Sequence, residues 1–89
     1  MISGAQIRSA RALLGISVEG LSRLSSVSYA TVQRFENAGG VPKSRSGTLE
    51  RVVAALEAAG IRFIGDPLTS PGVQLRITDA ADTEDKSET

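Results

Sequence analysis

Over the first sixty positions the apolar residues recur at helical spacing, and after that they alternate. Ile7, Ala10 and Leu14, with Leu13 beside them, mark the buried stripe of a first helix over about residues 4–14. Ser3 is placed to cap it, and Gly15 to end it in a left-handed turn. Arg8 falls on the solvent side of this helix and Arg11 close to the stripe, while Ile16 falls between this helix and the next. Val18, Leu21 and Leu24 predict a second helix over 17–24, with Ser17 as its cap. Gly20 inside it is a local fault, costing about 1 kcal/mol relative to alanine. Ser25-Ser26 interrupts the pattern, Val27 is apolar, and Ser28 caps a third helix that starts at Tyr29 and turns Val32 and Phe35 inward. Two short helices around a turn of about four residues, with an apolar residue inside the turn, compose a helix-turn-helix. The second helix of such a pair fits the DNA major groove.

Asn37-Ala38-Gly39-Gly40-Val41-Pro42 predicts a loop. Lys43, Ser44, Arg45 and Ser46 follow it, two bases and two hydroxyls beside a helix start, a composition suited to phosphate contacts. Leu49, Val52, Val53 and Leu56 set a fourth helix over about 47–59, with Ser46 as its cap and Gly60 as its stop. Then Ile61-Arg62-Phe63-Ile64 reads as a strand, Gly65-Asp66-Pro67 and Ser70-Pro71-Gly72 as turns, and Val73-Gln74-Leu75-Arg76-Ile77 as a half-buried strand. The two strands suit a hairpin with a long loop. Because an isolated hairpin is marginal and leaves an open edge, the segment is expected to pack on the fourth helix and to pair with its copy in a second subunit through Val73, Leu75 and Ile77. Residues 78–89 are acidic, lack an apolar stripe and are expected to be disordered. The chain thus divides into a helical unit over 1–60, a β segment over 61–77 and a tail over 78–89.

A length of 89 residues allows one small domain. Cysteine and histidine are both missing, which removes disulfides, thiolate catalysis, the usual zinc sites and histidine acid–base chemistry. No nucleophile–base pair, metal cluster or phosphate-cradling glycine loop is visible, so neither an enzyme nor a cofactor is expected. No apolar run approaches the roughly 20 residues that span a membrane, and the N-terminus has no secretory core, so a cytoplasmic location is expected. The net charge of zero hides an uneven distribution: residues 1–77 carry nine bases and five acids, residues 78–89 one base and five acids. The basic body suits a phosphate backbone.

Several fragments together resemble the Cro/CI-type, or XRE, helix-turn-helix family of small bacterial and phage regulators. They are Ile7-x-x-Ala10-Arg11-x-x-Leu14-Gly15-Ile16-Ser17, Leu21-Ser22, Ser26-Val27-Ser28 and Thr31-Val32-x-x-Phe35-Glu36-Asn37. The stretch from Leu49 to Gly60, followed by Ile61-Arg62-Phe63, resembles small members that end in a strand. The resemblance implies a mainly α domain of four to five helices with a short C-terminal β hairpin or strand pair at a dimer interface.

It further implies that Tyr29, Ala30, Gln33 and Arg34 contact bases, and that Ser28, Thr31, Lys43, Arg45 and Arg8 contact the DNA backbone. A guanidinium at Arg34 can pair bidentately with guanine, and the Gln33 amide with adenine. Arg11 and Glu36 are implied as a buried structural ion pair. The partners expected are double-stranded DNA with a palindromic operator and a second copy of the chain, without a small-molecule ligand. Val18 stands where the family usually has a phosphate-contacting glutamine, and Tyr29 and Ala30 are less polar than many equivalents. Val18, Tyr29 and Ala30 can also form an apolar patch, which raises a second reading: a protein-binding module such as an antiactivator or an antitoxin.

Overall fold

The computed structural model describes residues 1–45 and 47–77. Four helices, α1 (Gly4–Leu14), α2 (Val18–Ser25), α3 (Tyr29–Glu36) and α4 (Thr48–Ala58), precede two strands, β1 (Ile61–Ile64) and β2 (Gly72–Leu75). None of these helices is long and apolar enough to cross a membrane. The expected acidic tail over 78–89 lies outside the described residues.

Local chemistry sets the helix starts. The Ser3 hydroxyl accepts the Gln6 N–H while the Gln6 side-chain oxygen accepts the Ser3 N–H, so two donors at the start of α1 are satisfied reciprocally. Ser17 accepts from the Gly20 N–H and Ser28 from the Thr31 N–H. Gly15 closes α1 at φ 70°, a left-handed conformation that a residue without Cβ adopts at little cost. The turn between α2 and α3 is three residues, 26–28, one fewer than expected. It is fastened from both sides, because the Ser22 hydroxyl donates to the Val27 carbonyl and the Val27 N–H donates to the Ser22 carbonyl.

Ser46, expected to cap α4, lies outside the described residues. Gly47 occupies the cap position without a side-chain bond, and the Ser44 hydroxyl accepts the Leu49 N–H instead.

One core joins all four helices and β1: Ile7, Ala10, Leu21, Val27, Val32, Phe35, Val52, Leu56 and Ile61 are buried together. Leu24, expected inside, is exposed. The buried row of α2 runs from Leu21 to Ser25, at i and i+4, and Ser25 enters the core because its hydroxyl donates to the Leu21 carbonyl.

The two strands pair antiparallel within the chain, Ile61 opposite Leu75 and Phe63 opposite Val73. The expected second strand, 73–77, shifts to 72–75, although the Arg76 N–H still donates to the Gly60 carbonyl. The expectation of packing on the fourth helix holds for β1 only; β2 packs on α1. Gln6 explains that preference. Its buried side-chain amide nitrogen donates to the carbonyls of Ile64 and Gly72, one from each strand, and so pins the loop end of the hairpin to the start of α1.

Candidate functional site

The face of interest is built on α3. Val32, Phe35 and Glu36 turn inward, and at 100° per residue this leaves Ala30, Gln33 and Arg34 on the outer side, with Tyr29 at the N-terminal edge. All four are exposed, Tyr29 by half of its surface. Expected as a group, they are found as a group: one guanidinium, one amide, one phenol and one methyl side by side on a two-turn helix.

Ser28 and Thr31 are more constrained. The Ser28 hydroxyl, already accepting the Thr31 N–H, donates its proton to Thr31 Oγ1 at 2.9 Å. Both oxygens retain lone pairs, and Thr31 is half-buried.

Two basic side chains extend the face beyond α3. Lys43 and Arg45 are exposed on the α3–α4 loop. Arg34 Nη1 donates to the Lys43 carbonyl at 3.1 Å, and the Thr48 N–H and hydroxyl both donate to the Arg45 carbonyl. From Tyr29 to Gly47 the single carboxylate is Glu36. It is buried at 4% exposure and compensated by Arg11, so it subtracts little from the positive potential of Arg34, Lys43 and Arg45.

The Arg11–Glu36 pair expected from the resemblance is present and bidentate, Nε to Oε2 at 2.8 Å and Nη2 to Oε1 at 3.0 Å. Arg11 Nη1 also donates to the Ile16 carbonyl at 3.1 Å. The hydrogen bond to Glu36 raises the Arg11 pKa above its ordinary value, outweighing the opposing effect of burial. One guanidinium thus ties α1 to the end of α3 and to the turn before α2, which fixes the outer face of α3 relative to the rest of the domain.

Arg8 is exposed, as expected, and its Nη1 donates to the Glu36 carbonyl at the C-terminal end of α3. There it complements the negative end of the helix dipole and lies at the far end of α3 from Tyr29.

The residues expected at a subunit interface lie elsewhere. Val73 and Leu75 are half-buried on β2, and Ile77 is 60% exposed just beyond it. Leu13, half exposed on α1, joins them in one shallow groove with Arg62 and Arg76. Sequence reasoning missed Gln6 as the link between α1 and the hairpin, and Ser44 as the effective cap of α4. For Gln6 a signal was available in the Ser3-x-x-Gln6 spacing of a capping box.

No family model matches this chain, and no curated protein matches it significantly.

Proposed function

We infer that the chain is a sequence-specific DNA-binding transcriptional regulator of the Cro/CI-like helix-turn-helix type, acting as a homodimer. The observation that carries this reading is the exposed set Tyr29, Ala30, Gln33 and Arg34 on α3, flanked by Lys43 and Arg45 and held by the buried Arg11–Glu36 pair. The helix from Tyr29 enters the major groove, Arg34 reads guanine and Gln33 adenine, and Tyr29 and Ala30 meet thymine methyl groups. Lys43, Arg45, Ser28 and Thr31 hold phosphates. Arg8, engaged on the Glu36 carbonyl, contributes positive charge at longer range.

The second copy joins along β2. The Arg76-to-Gly60 bond sets the alternation of the ladder, so the peptide groups of Val73 and Leu75 point away from β1. Leu13 and Ile77 supply exposed apolar surface beside that open edge. Two subunits related by a two-fold axis read an inverted repeat with half-sites about one helical turn apart. A dimer over a promoter excludes polymerase, so repression, including of its own gene, is the default action.

Footprinting of the DNA immediately upstream of its own gene tests the reading. Protection of an inverted repeat is the expected result. Arg34→Ala should relax base preference and cost about 1–3 kcal/mol, and Lys43→Ala should weaken all sequences alike. Wild-type-like operator binding by both variants would remove the groove assignment.

One observation favours a second reading. Leu24 and Tyr29 are both exposed by half or more of their surface on α2 and α3, apolar area that a protein partner can cover. If no DNA from the protein's own genetic neighbourhood binds, an antiactivator or antitoxin role takes first place.

A further inference from the structure

The α3–α4 loop is held at two places by different parts of the fold. Its C-terminal end belongs to α4: Thr48 binds the Arg45 carbonyl through its N–H and its hydroxyl, and Ser44 accepts from Leu49. At Lys43 the tie is to α3 instead, through Arg34 Nη1 on the Lys43 carbonyl. The Arg34 guanidinium carbon also lies 5.0 Å from the centre of the Phe35 ring, and Phe35 is fully buried. Arg34 therefore leans along the loop side of α3 against a fixed aromatic support, with a charge-assisted bond to the loop at its tip.

We propose that Arg34 is a positioning residue for the basic loop, setting where Lys43 stands relative to the exposed face of α3. This rests on the DNA-binding reading above and adds to it the coupling between base contact and phosphate contact. A guanidinium carries five N–H donors. One spent on the Lys43 carbonyl leaves Nε and Nη2 for a base edge, so the same side chain serves both tasks. The loop carbonyl also restricts the rotamers of Arg34 before DNA arrives, which lowers the entropy lost on contact.

The coupling has a numerical signature. Each phosphate contact contributes about 0.9 to the slope of log K against log salt. An Arg34 that only reads a base edge takes almost nothing from that slope when removed. An Arg34 that also places Lys43 takes about 1, because that phosphate contact goes with it. Lysine keeps the charge, much of the reach and a donor for the Lys43 carbonyl, and so serves as the rescuing variant.

The experiment has two arms, both on the full chain. Backbone amide dynamics at Lys43, Ser44 and Arg45 are measured by NMR in the free protein for wild type, Arg34→Ala and Arg34→Lys. Binding to a mixed-sequence duplex is titrated with salt for the same three proteins. The expected result is that Arg34→Ala loosens the Lys43 amide, leaves Ser44 and Arg45 held by α4, and lowers the slope by about 1, while Arg34→Lys preserves both amide order and slope. An unchanged Lys43 amide in Arg34→Ala, or an unchanged slope, would overturn the proposal. If wild type shows no salt-dependent binding at all, the DNA reading itself fails, and the Lys43 amide alone decides whether Arg34 places the loop there.

Discussion

Gly4 lies directly beneath the carbonyl of Phe35: a Cβ added there would stand 2.5 Å from that oxygen, 2.9 Å from the Ala38 oxygen and 3.0 Å from the Glu36 oxygen. The Gly4 N–H meanwhile donates to the Gly40 carbonyl at 3.0 Å. The start of α1 thus rests on the end of α3, positive helix pole against negative. In an ordinary helix Gly→Ala gains about 1 kcal/mol. Here three backbone oxygens occupy the space, and overpacking against groups that cannot rotate away costs about 3 kcal/mol. Gly4→Ala should therefore be a net loss of about 2 kcal/mol, seen as a fall in Tm of roughly 10 °C. An unchanged Tm would mean that the two helix ends are not in contact.

The Arg11–Glu36 pair gives a second prediction. Removing one partner of a buried pair strands the other, at about 3–5 kcal/mol. Arg11 keeps a quarter of its side-chain surface exposed, so Arg11→Ala belongs at the lower end, about 3 kcal/mol. Arg11→Leu combined with Glu36→Leu should recover much of the loss, since no charge is left behind. Denaturant unfolding of the singles and the double measures the coupling, and additive losses would contradict a shared buried pair.

Gln6→Ala should loosen the start of α1 and the loop end of the hairpin together. It removes the acceptor for the Ser3 N–H and the donor to Ile64 and Gly72, each bond worth about 1 kcal/mol net. Hydrogen exchange should rise in both α1 and the hairpin. Gln6→Glu keeps the acceptor but sets a carboxylate against two carbonyls, and should loosen the hairpin more than the helix start.

At the turn between the strands, Asp66 Oδ1 accepts the N–H groups of Leu68 and Thr69. Those bonds, to Leu68 foremost, hold its pKa below the ordinary aspartate value. A depressed carboxylate adds stability that is present above the unfolded pKa, about 3.9, and is lost as pH falls through the lower folded value. Asp66→Asn keeps the acceptor oxygen and loses the charge. Its turn resonances should persist at neutral pH and show no acid transition, whereas wild type should show one below the usual range.

The proposed dimer predicts that Ile77→Asp with Leu13→Asp yields a folded monomer, because both side chains are exposed and outside the core. Sedimentation equilibrium at tens of micromolar separates the cases. A wild type that is itself monomeric there would count against pairing along β2.

Much of the fold was legible because it is written locally. The capping serines Ser3, Ser17 and Ser28, the stop at Gly15 and the rows Ile7–Ala10 and Val52–Leu56 each depend on neighbours within a few positions. What escaped depends on residues that meet only after folding. Gln6 reaches carbonyls 58 and 66 positions away, and Arg8 reaches one 28 positions away. Periodicity carries no information about such partners. Leu24 failed for a related reason: a short helix offers Leu21 two candidate neighbours, at i+3 and i+4, and tertiary packing selected the polar one. At the candidate site, residue types and spacing on α3 were readable, but the tether from Arg34 to Lys43 was not, since a loop's path is not encoded in its glycines and proline.

A single amide, that of Gln6, serves as a shared rivet between the opening helix and the loop end of the hairpin. The first turn of α1 cannot fray without releasing the turn end of the two strands, so those two corners have no independent hem to unravel. Trimming a few residues from the front, Gln6 among them, should therefore unfasten a turn that lies 58 to 66 positions further on.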